Sequence, residues 1–229
     1  MEKKNINYEK FNTVDSKNQI KDNIFFFGNP EGSPRIMFVG NSVTKHEPKP
    51  EIGWEGSWGM AASAMDKDYV HRTIARVEEL GVSAAYCIVQ AAIWERTYRD
   101  CNYEEHFGPA KAFKPDIIIC VISANIPDAE FEHEAFVENI GKLHRYLADG
   151  CDVKIIQTSS AFNNEKKSAA IEDYMSRVGG DYVYISDLPT SEENLAIGKF
   201  WHSGIQYHPG DLGMDRIAER IFEKLKKYL

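Results

Sequence analysis

Five short apolar runs recur along the chain: Ile36 to Val39, Ala84 to Val89, Ile117 to Ile122, Val153 to Ile156, and Tyr182 to Ile185. None alternates strictly between apolar and polar positions, which is how strands covered on both faces read. Between and after them lie amphipathic stretches with helical spacing, roughly Met60 to Leu80, Tyr103 to Ala112, Asp128 to Ala148 and Asn164 to Val178. A last helix is predicted from Asp211, which is placed to cap it, and carries Ile217, Ile221 and Leu225 on one face. Strands alternating with helices of this length predict an α/β fold, a three-layer α/β/α sandwich around a five-stranded parallel sheet. Ahead of this series, Asn23 to Phe27 forms a short apolar segment ended by Gly28-Asn29-Pro30, expected as an edge strand or a strap over the core. Residues 1–22 are polar and irregular.

One connection breaks the regularity. Thr44 to Ser57 carries Pro48, Pro50, Gly53, Trp54 and Gly56. Loops this long inside compact domains are functional or disordered, and Trp54, with Trp58 just beyond, argues for the former.

With 229 residues, of which 43% are hydrophobic, the chain suits one sizeable core better than two. A net charge of -8 without long single-sign blocks argues against a nucleic-acid surface and fits a small-molecule substrate. The basic start, Met1-Glu2-Lys3-Lys4-Asn5, has no apolar region behind it, and no run approaches a membrane span. A cytoplasmic protein is therefore expected, with no membrane partner. Cys87, Cys101, Cys120 and Cys151 lack CxxC spacing and are read as free thiols of a reducing compartment. Neither HExxH nor a Cys/His cluster occurs, so no metal and no cofactor are expected.

The first strand stops at Gly40-Asn41-Ser42. A serine at the carboxyl end of a buried strand sits where open α/β sheets place their ligands. A serine hydroxyl becomes a useful nucleophile only when a base takes its proton and donors stabilise the oxyanion that follows attack on an acyl carbon. His208, in His-Pro-Gly-Asp-Leu-Gly-Met before the last helix, is the strongest base among seven histidines. Asn125, after the third predicted strand of the sheet, offers a side-chain amide to the oxyanion, with the Ser42 N–H as a second donor. His202 is expected at the surface or the rim.

These residues, in this order, resemble the SGNH (GDSL-like) hydrolase family. Its Gly-Asp-Ser block is matched by Gly40-Asn41-Ser42, its Gly-x-Asn-Asp block in part by Ser123-Ala124-Asn125-Ile126, and its His-Pro block by His208-Pro209. The resemblance implies a flavodoxin-like SGNH hydrolase fold over 23–229 as a single domain. It also implies a serine esterase that hydrolyses a small acyl ester, such as an acetylated carbohydrate. Ser42, His208 and Asn125 would then be catalytic, with Gly40, Asn41, Trp54, Trp58 and Glu95 around the substrate.

Two departures from the family pattern stand out. The position three before the histidine, aspartate in the family, is Ile205, and no glycine follows the strand ending at Gln90. The imidazole is then held by a backbone carbonyl in a Ser-His dyad, or by another carboxylate, for which Glu95 is the favoured candidate. Asp211 is read as a helix cap rather than a triad member. Trp54 and Trp58 either stack on a sugar or form a lid packed on the core. A chain with these departures also leaves open an inactive carbohydrate- or partner-binding module of the same fold. A flavin or nucleotide domain would need a glycine-rich phosphate loop, and none follows any strand.

Overall fold

The computed structural model describes residues 23–229, so the expected N-terminal segment 1–22 lies outside the described residues. The elements are β1 (Ile24–Gly28), β2 (Arg35–Gly40), α1 (Tyr69–Glu79), β3 (Ala85–Gln90), α2 (Ala92–Thr97), α3 (Tyr103–Lys111), β4 (Ile117–Val121), α4 (His133–Ala148), β5 (Lys154–Thr158), α5 (Glu165–Val178), β6 (Asp181–Val183), α6 (Ser203–Gln206) and α7 (Asp211–Leu225).

Successive strand side chains point to opposite faces, and both faces are covered. On one side Met37, Val39, Val89, Ile118 and Cys120 pack against Phe107 of α3, Phe136 and Ile140 of α4, and Ile171 of α5. On the other, Ile36, Phe38, Ile88, Ile117 and Ile119 meet Val70, Ile74 and Val77 of α1 and Ile217, Ile221 and Leu225 of α7. Each such side chain contributes roughly 1.5–3 kcal/mol on burial, so the continuous apolar runs are explained by two cores sharing one sheet.

The sheet has six strands in the order β1-β3-β2-β4-β5-β6, one more than the five expected. The additional strand is β1, the segment left open as strand or strap, which pairs antiparallel with β3 from Ile24↔Val89 to Gly28↔Ala85. Phe25 and Phe27 pack inward while Phe26 is exposed, the alternation of an edge strand covered on one face. The other neighbours pair in parallel. From central β2 the chain goes to β3 on one side and later to β4 on the other. The carboxyl end of β2 is therefore a switch point, where crossovers diverge and leave a crevice.

Helix boundaries differ from expectation where capping overrides periodicity. The helix expected from Met60 begins at Tyr69, because Ala61 turns with φ 77° and Asp68 accepts the His71 N–H at 2.8 Å as N-cap. The helix expected from Asp128 begins at His133. The short α2 was not anticipated. Asp211 does not cap α7: Gly210 holds that position, and the Asp211 carboxylate accepts from the Ser63 N–H at 2.8 Å and hydroxyl at 2.7 Å. No described helix is long and apolar enough to cross a membrane. The four cysteines are unpaired, with Cys87 and Cys120 buried and Cys101 and Cys151 half-buried.

Candidate active site

Gly40, the last residue of β2, is paired with Gln90 on one side and Val121 on the other. A Cβ there would stand 1.8 Å from Thr44 Oγ1 and 2.8 Å from the Val121 carbonyl, so only glycine lets the chain turn at this point. The next residue shapes the turn: Asn41 Oδ1 accepts the Val43 N–H at 3.1 Å, and its carbonyl accepts those of Thr44 and Lys45 at 2.9 and 3.0 Å. Both Gly40 and the Asn41 side chain are buried. They build the serine turn and do not present side chains to a substrate, as had been expected of them. Ser42 emerges half-buried at the crevice.

Ser42 Oγ lies 2.7 Å from His208 Nε2. The other ring nitrogen, Nδ1, donates to the Gly204 carbonyl at 2.7 Å. A carbonyl only accepts, so the ring proton sits on Nδ1 and Nε2 is free to accept from the serine. That carbonyl is available because α6 stops at Gln206: the His208 N–H goes to the Ile205 carbonyl at 2.9 Å instead. The Ala196 N–H donates to the His208 carbonyl at 3.0 Å, and Phe162 meets the ring edge-on at 5.1 Å. Burial pushes the His208 pKa down to about 4 against its ordinary value, with His46 and His202 adding to the effect and the Gly204 bond opposing it. Ile205 is buried among Trp54, Met60, Ala61 and Ala196, an apolar position that the aspartate of the family pattern would not tolerate unpaired.

Glu95 does not reach the imidazole. Its carboxylate is 1% exposed and gathers five donors: Asn41 Nδ2 at 2.9 Å, the Ala124 N–H at 3.2 Å, the Asn125 N–H at 3.0 Å, the Ser123 N–H and the Asn125 side-chain amide. It also does not line the cleft as the expected substrate contact. The residue is a clamp: it fastens the Asn125 loop, after β4, to the serine turn, after β2. Donors from every side make a buried carboxylate tolerable. Asn125 is held again by Arg96, whose Nη2 donates to Asn125 Oδ1 at 3.4 Å. One N–H of the Asn125 amide is spent on Glu95, and the second remains for the cleft.

After β3, where the family pattern has a glycine, Gln90 folds back on its own chain. Its Oε1 accepts the Ala92 N–H at 2.8 Å, and its Nε2 donates to the Lys45 carbonyl at 3.3 Å. The Ala91 N–H is spent on the Gly40 carbonyl at 2.5 Å.

The cleft over Ser42 has a volume of about 390 Å³ and is lined in part by His208, Asn125, Arg96, Met60, Ile205 and Gln90. Trp54 and Trp58 are not among its lining residues. Trp54 is 2% exposed, packs edge-on to Trp58 at 5.7 Å, and donates to the His46 carbonyl, while Trp58 donates to the Ala62 carbonyl. The loop is thus a lid packed on the core, pinned by bridges His46↔Trp58 and Lys49↔Trp54. It delivers His46, Glu47 and Ile52 to the cleft instead of the tryptophans. His46, Arg96 and Gly204 also line the cleft, although no motif marks them in the sequence, and His202, expected at the surface or the rim, lines it too.

Among the described residues, the His, Cys, Asp and Glu side chains close enough to share an ion are His133, Glu134 and Asp173 on α4 and α5. Arg177 bonds both carboxylates, and none of the three lines the cleft.

No protein-family model and no curated protein sequence matches the chain. Solved structures do. The psychrotrophic esterase EstA of Pseudoalteromonas, crystallised with monoethylphosphonate, superposes with a TM-score of 0.57 at 8% identity, covering 86% of this chain and 98% of that one. A Parabacteroides merdae protein designated a GDSL-like lipase gives 0.58 at 14% identity, covering 86% and 98%. A two-domain esterase active on acetylated mannans, crystallised with mannopentaose, gives 0.57 at 16% identity, covering 84% of this chain and 49% of its own. The order of strands, the serine at the end of β2 and these superpositions together assign the chain the SGNH (GDSL-like) hydrolase fold.

Proposed function

We propose that the protein is a serine esterase that hydrolyses a small acyl ester, an acetyl ester on a carbohydrate being the favoured substrate. The observation that carries this reading is the Ser42 Oγ to His208 Nε2 contact of 2.7 Å, with Nδ1 fixed at the same distance on the Gly204 carbonyl. Ser42 Oγ attacks the acyl carbon as its proton passes to Nε2. The Asn125 amide and the Ser42 N–H stabilise the oxyanion. Collapse expels the alcohol, which takes the proton from His208 and leaves an acyl-Ser42 ester. Water then gives its proton to Nε2 and attacks the acyl carbon, and Ser42 leaves with that proton as the carboxylic acid departs.

A carbonyl in place of the triad aspartate fixes the tautomer and the ring plane without a charge to stabilise the imidazolium. Loss of the aspartate in a serine protease costs about 10⁴ in turnover chiefly by presenting the wrong tautomer, and the Gly204 bond avoids that outcome. Three features support a sugar acetate: a cleft of about 390 Å³, apolar Met60 and Ile205 beside the serine, and the mannan-active esterase among the similar structures. The test is hydrolysis of 4-nitrophenyl acetate and of an acetylated monosaccharide by the protein and its Ser42→Ala variant. Turnover lost in the variant supports the reading, and unchanged turnover refutes it.

A further inference from the structure

The chain carries net charge -8, and most of its arginines are spent on carboxylates. Arg72 and Arg76 share Asp215, Arg99 meets Glu132, Arg177 meets Glu134, Arg216 meets Glu193, and Arg220 meets Asp187. Arg96, which lines the cleft, has no ion pair among the described residues. Its one bond there is the 3.4 Å contact to Asn125 Oδ1, long for a hydrogen bond and far short of what a guanidinium with five donors can make.

The acidic groups nearby are already committed. Glu47 pairs with Lys45 Nζ at 2.8 Å and accepts from Ser57, and the Glu95 oxygens are taken by their five donors. Lys45 is itself consumed, by Glu47, by Ser57 and by the face of Phe25 at 4.3 Å. His202 Nδ1, in the same wall, is buried without a partner. The positive charge of Arg96 is felt across the cleft at His46, which burial first, and then Lys49 and Arg96, hold below its ordinary pKa.

The largest unspent donor capacity in this wall is therefore that of the exposed Arg96 guanidinium. A carboxylate takes a guanidinium in two parallel charge-assisted bonds, which a neutral hydroxyl cannot do. Arg96 also borders Asn125, so a group bound to it lies close to the acyl centre. Resting on the esterase reading above, we propose that the cleft selects esters bearing a carboxylate near the scissile acyl group, bound by Arg96.

Two experiments test this. In the first, kcat/KM is compared between anionic esters and neutral counterparts of similar size. Mono-4-nitrophenyl succinate places the carboxylate on the acyl side and is set against 4-nitrophenyl butyrate, while 3-acetoxybenzoate places it on the alcohol side and is set against phenyl acetate. One anionic member should be preferred by about tenfold, the size of one charge-assisted bond, and Arg96→Gln should abolish that ratio. The preferred pair identifies the side that carries the charge. Equal rates for both pairs, or a preference that survives Arg96→Gln, would overturn the proposal while leaving the esterase reading intact. In the second, calorimetry on Ser42→Ala measures binding of succinate, D-glucuronate and D-glucose, and needs no turnover. At least one of the two anions should bind, and should bind about tenfold more weakly when Arg96→Gln is added. No anion binding, or binding indifferent to Arg96, contradicts the proposal even if the esterase reading itself fails.

Discussion

Glu95 and Asn125 are joined twice, the buried carboxylate accepting both the backbone N–H of Asn125, at 3.0 Å, and its side-chain amide. Through Asn41 the same carboxylate reaches the serine turn at 2.9 Å. Ser42 and Asn125 are thus set relative to each other by one acidic residue that does not line the cleft. Glu95→Ala would leave several buried donors without an acceptor, at a cost of about 1–3 kcal/mol each where water cannot enter. The expected result is a loss of about 3 kcal/mol in urea unfolding, and a fall in kcat that exceeds any change in KM.

Asn125→Ala should lower kcat by about 10²–10³-fold, the usual cost of one oxyanion donor, with KM little changed. Steady-state kinetics on 4-nitrophenyl acetate reads this directly. A change in KM alone would place Asn125 in ground-state binding instead.

The pH dependence follows from the imidazole. His208 must be neutral at Nε2 to accept the serine proton, and burial pushes its pKa down to about 4. The proton-accepting form is therefore retained as the medium is acidified past the ordinary histidine pKa of 6.5 and is lost only near 4. The acidic limb of kcat/KM is expected near pH 4, and should follow the titration of His208 observed by NMR in the free protein.

A second histidine acts on stability. His144 is buried, with Nε2 facing Cys120 Sγ at 3.1 Å and Nδ1 facing Tyr174 OH at 2.8 Å, and burial first, then Arg145, lowers its pKa to about 4. The unfolded chain binds the proton at 6.5 and the folded chain does not. The stability contributed is therefore complete above the unfolded pKa and is lost as pH falls toward 4, at about 1.4 kcal/mol per pH unit for this group. Urea unfolding between about pH 6 and about pH 5 should show stability falling as pH falls, with His208, lowered likewise, adding its own share, and His144→Phe should remove the share of His144.

Ile205→Asp would restore the family's residue type at the triad position and is expected not to help. The side chain is 1% exposed and packs against Trp54, Met60 and Ala196, so a carboxylate there is buried among apolar groups. A loss of about 3 kcal/mol or more in stability is expected, with no gain in kcat.

The strands were legible because two cores share one sheet: Ile36 to Val39 and Ile117 to Val121 are apolar at every position for that reason. Ser42, Asn125 and His208 were legible as side chains at strand ends and before a helix, and the structure brings Ser42 and His208 into contact. What holds His208 was legible only as a choice between a backbone carbonyl and a carboxylate, because the Gly204 carbonyl that does so is a backbone atom with no residue type of its own to recognise. Glu95 was visible as an acid in the right loop, but its partners are mostly backbone N–H groups, so the sequence suggested the cleft where the fold uses the interior. Trp54 and Trp58 were legible only as two alternatives, since tryptophans in a long loop serve a packed lid as readily as a binding surface.

Activation of Ser42 as a nucleophile is read out by intact-mass and peptide mass spectrometry after treating the folded protein with a fluorophosphonate. One adduct is expected, on Ser42, lost in Ser42→Ala and slowed in His208→Ala. A folded protein that takes no adduct, or takes it on a residue other than Ser42, would contradict it.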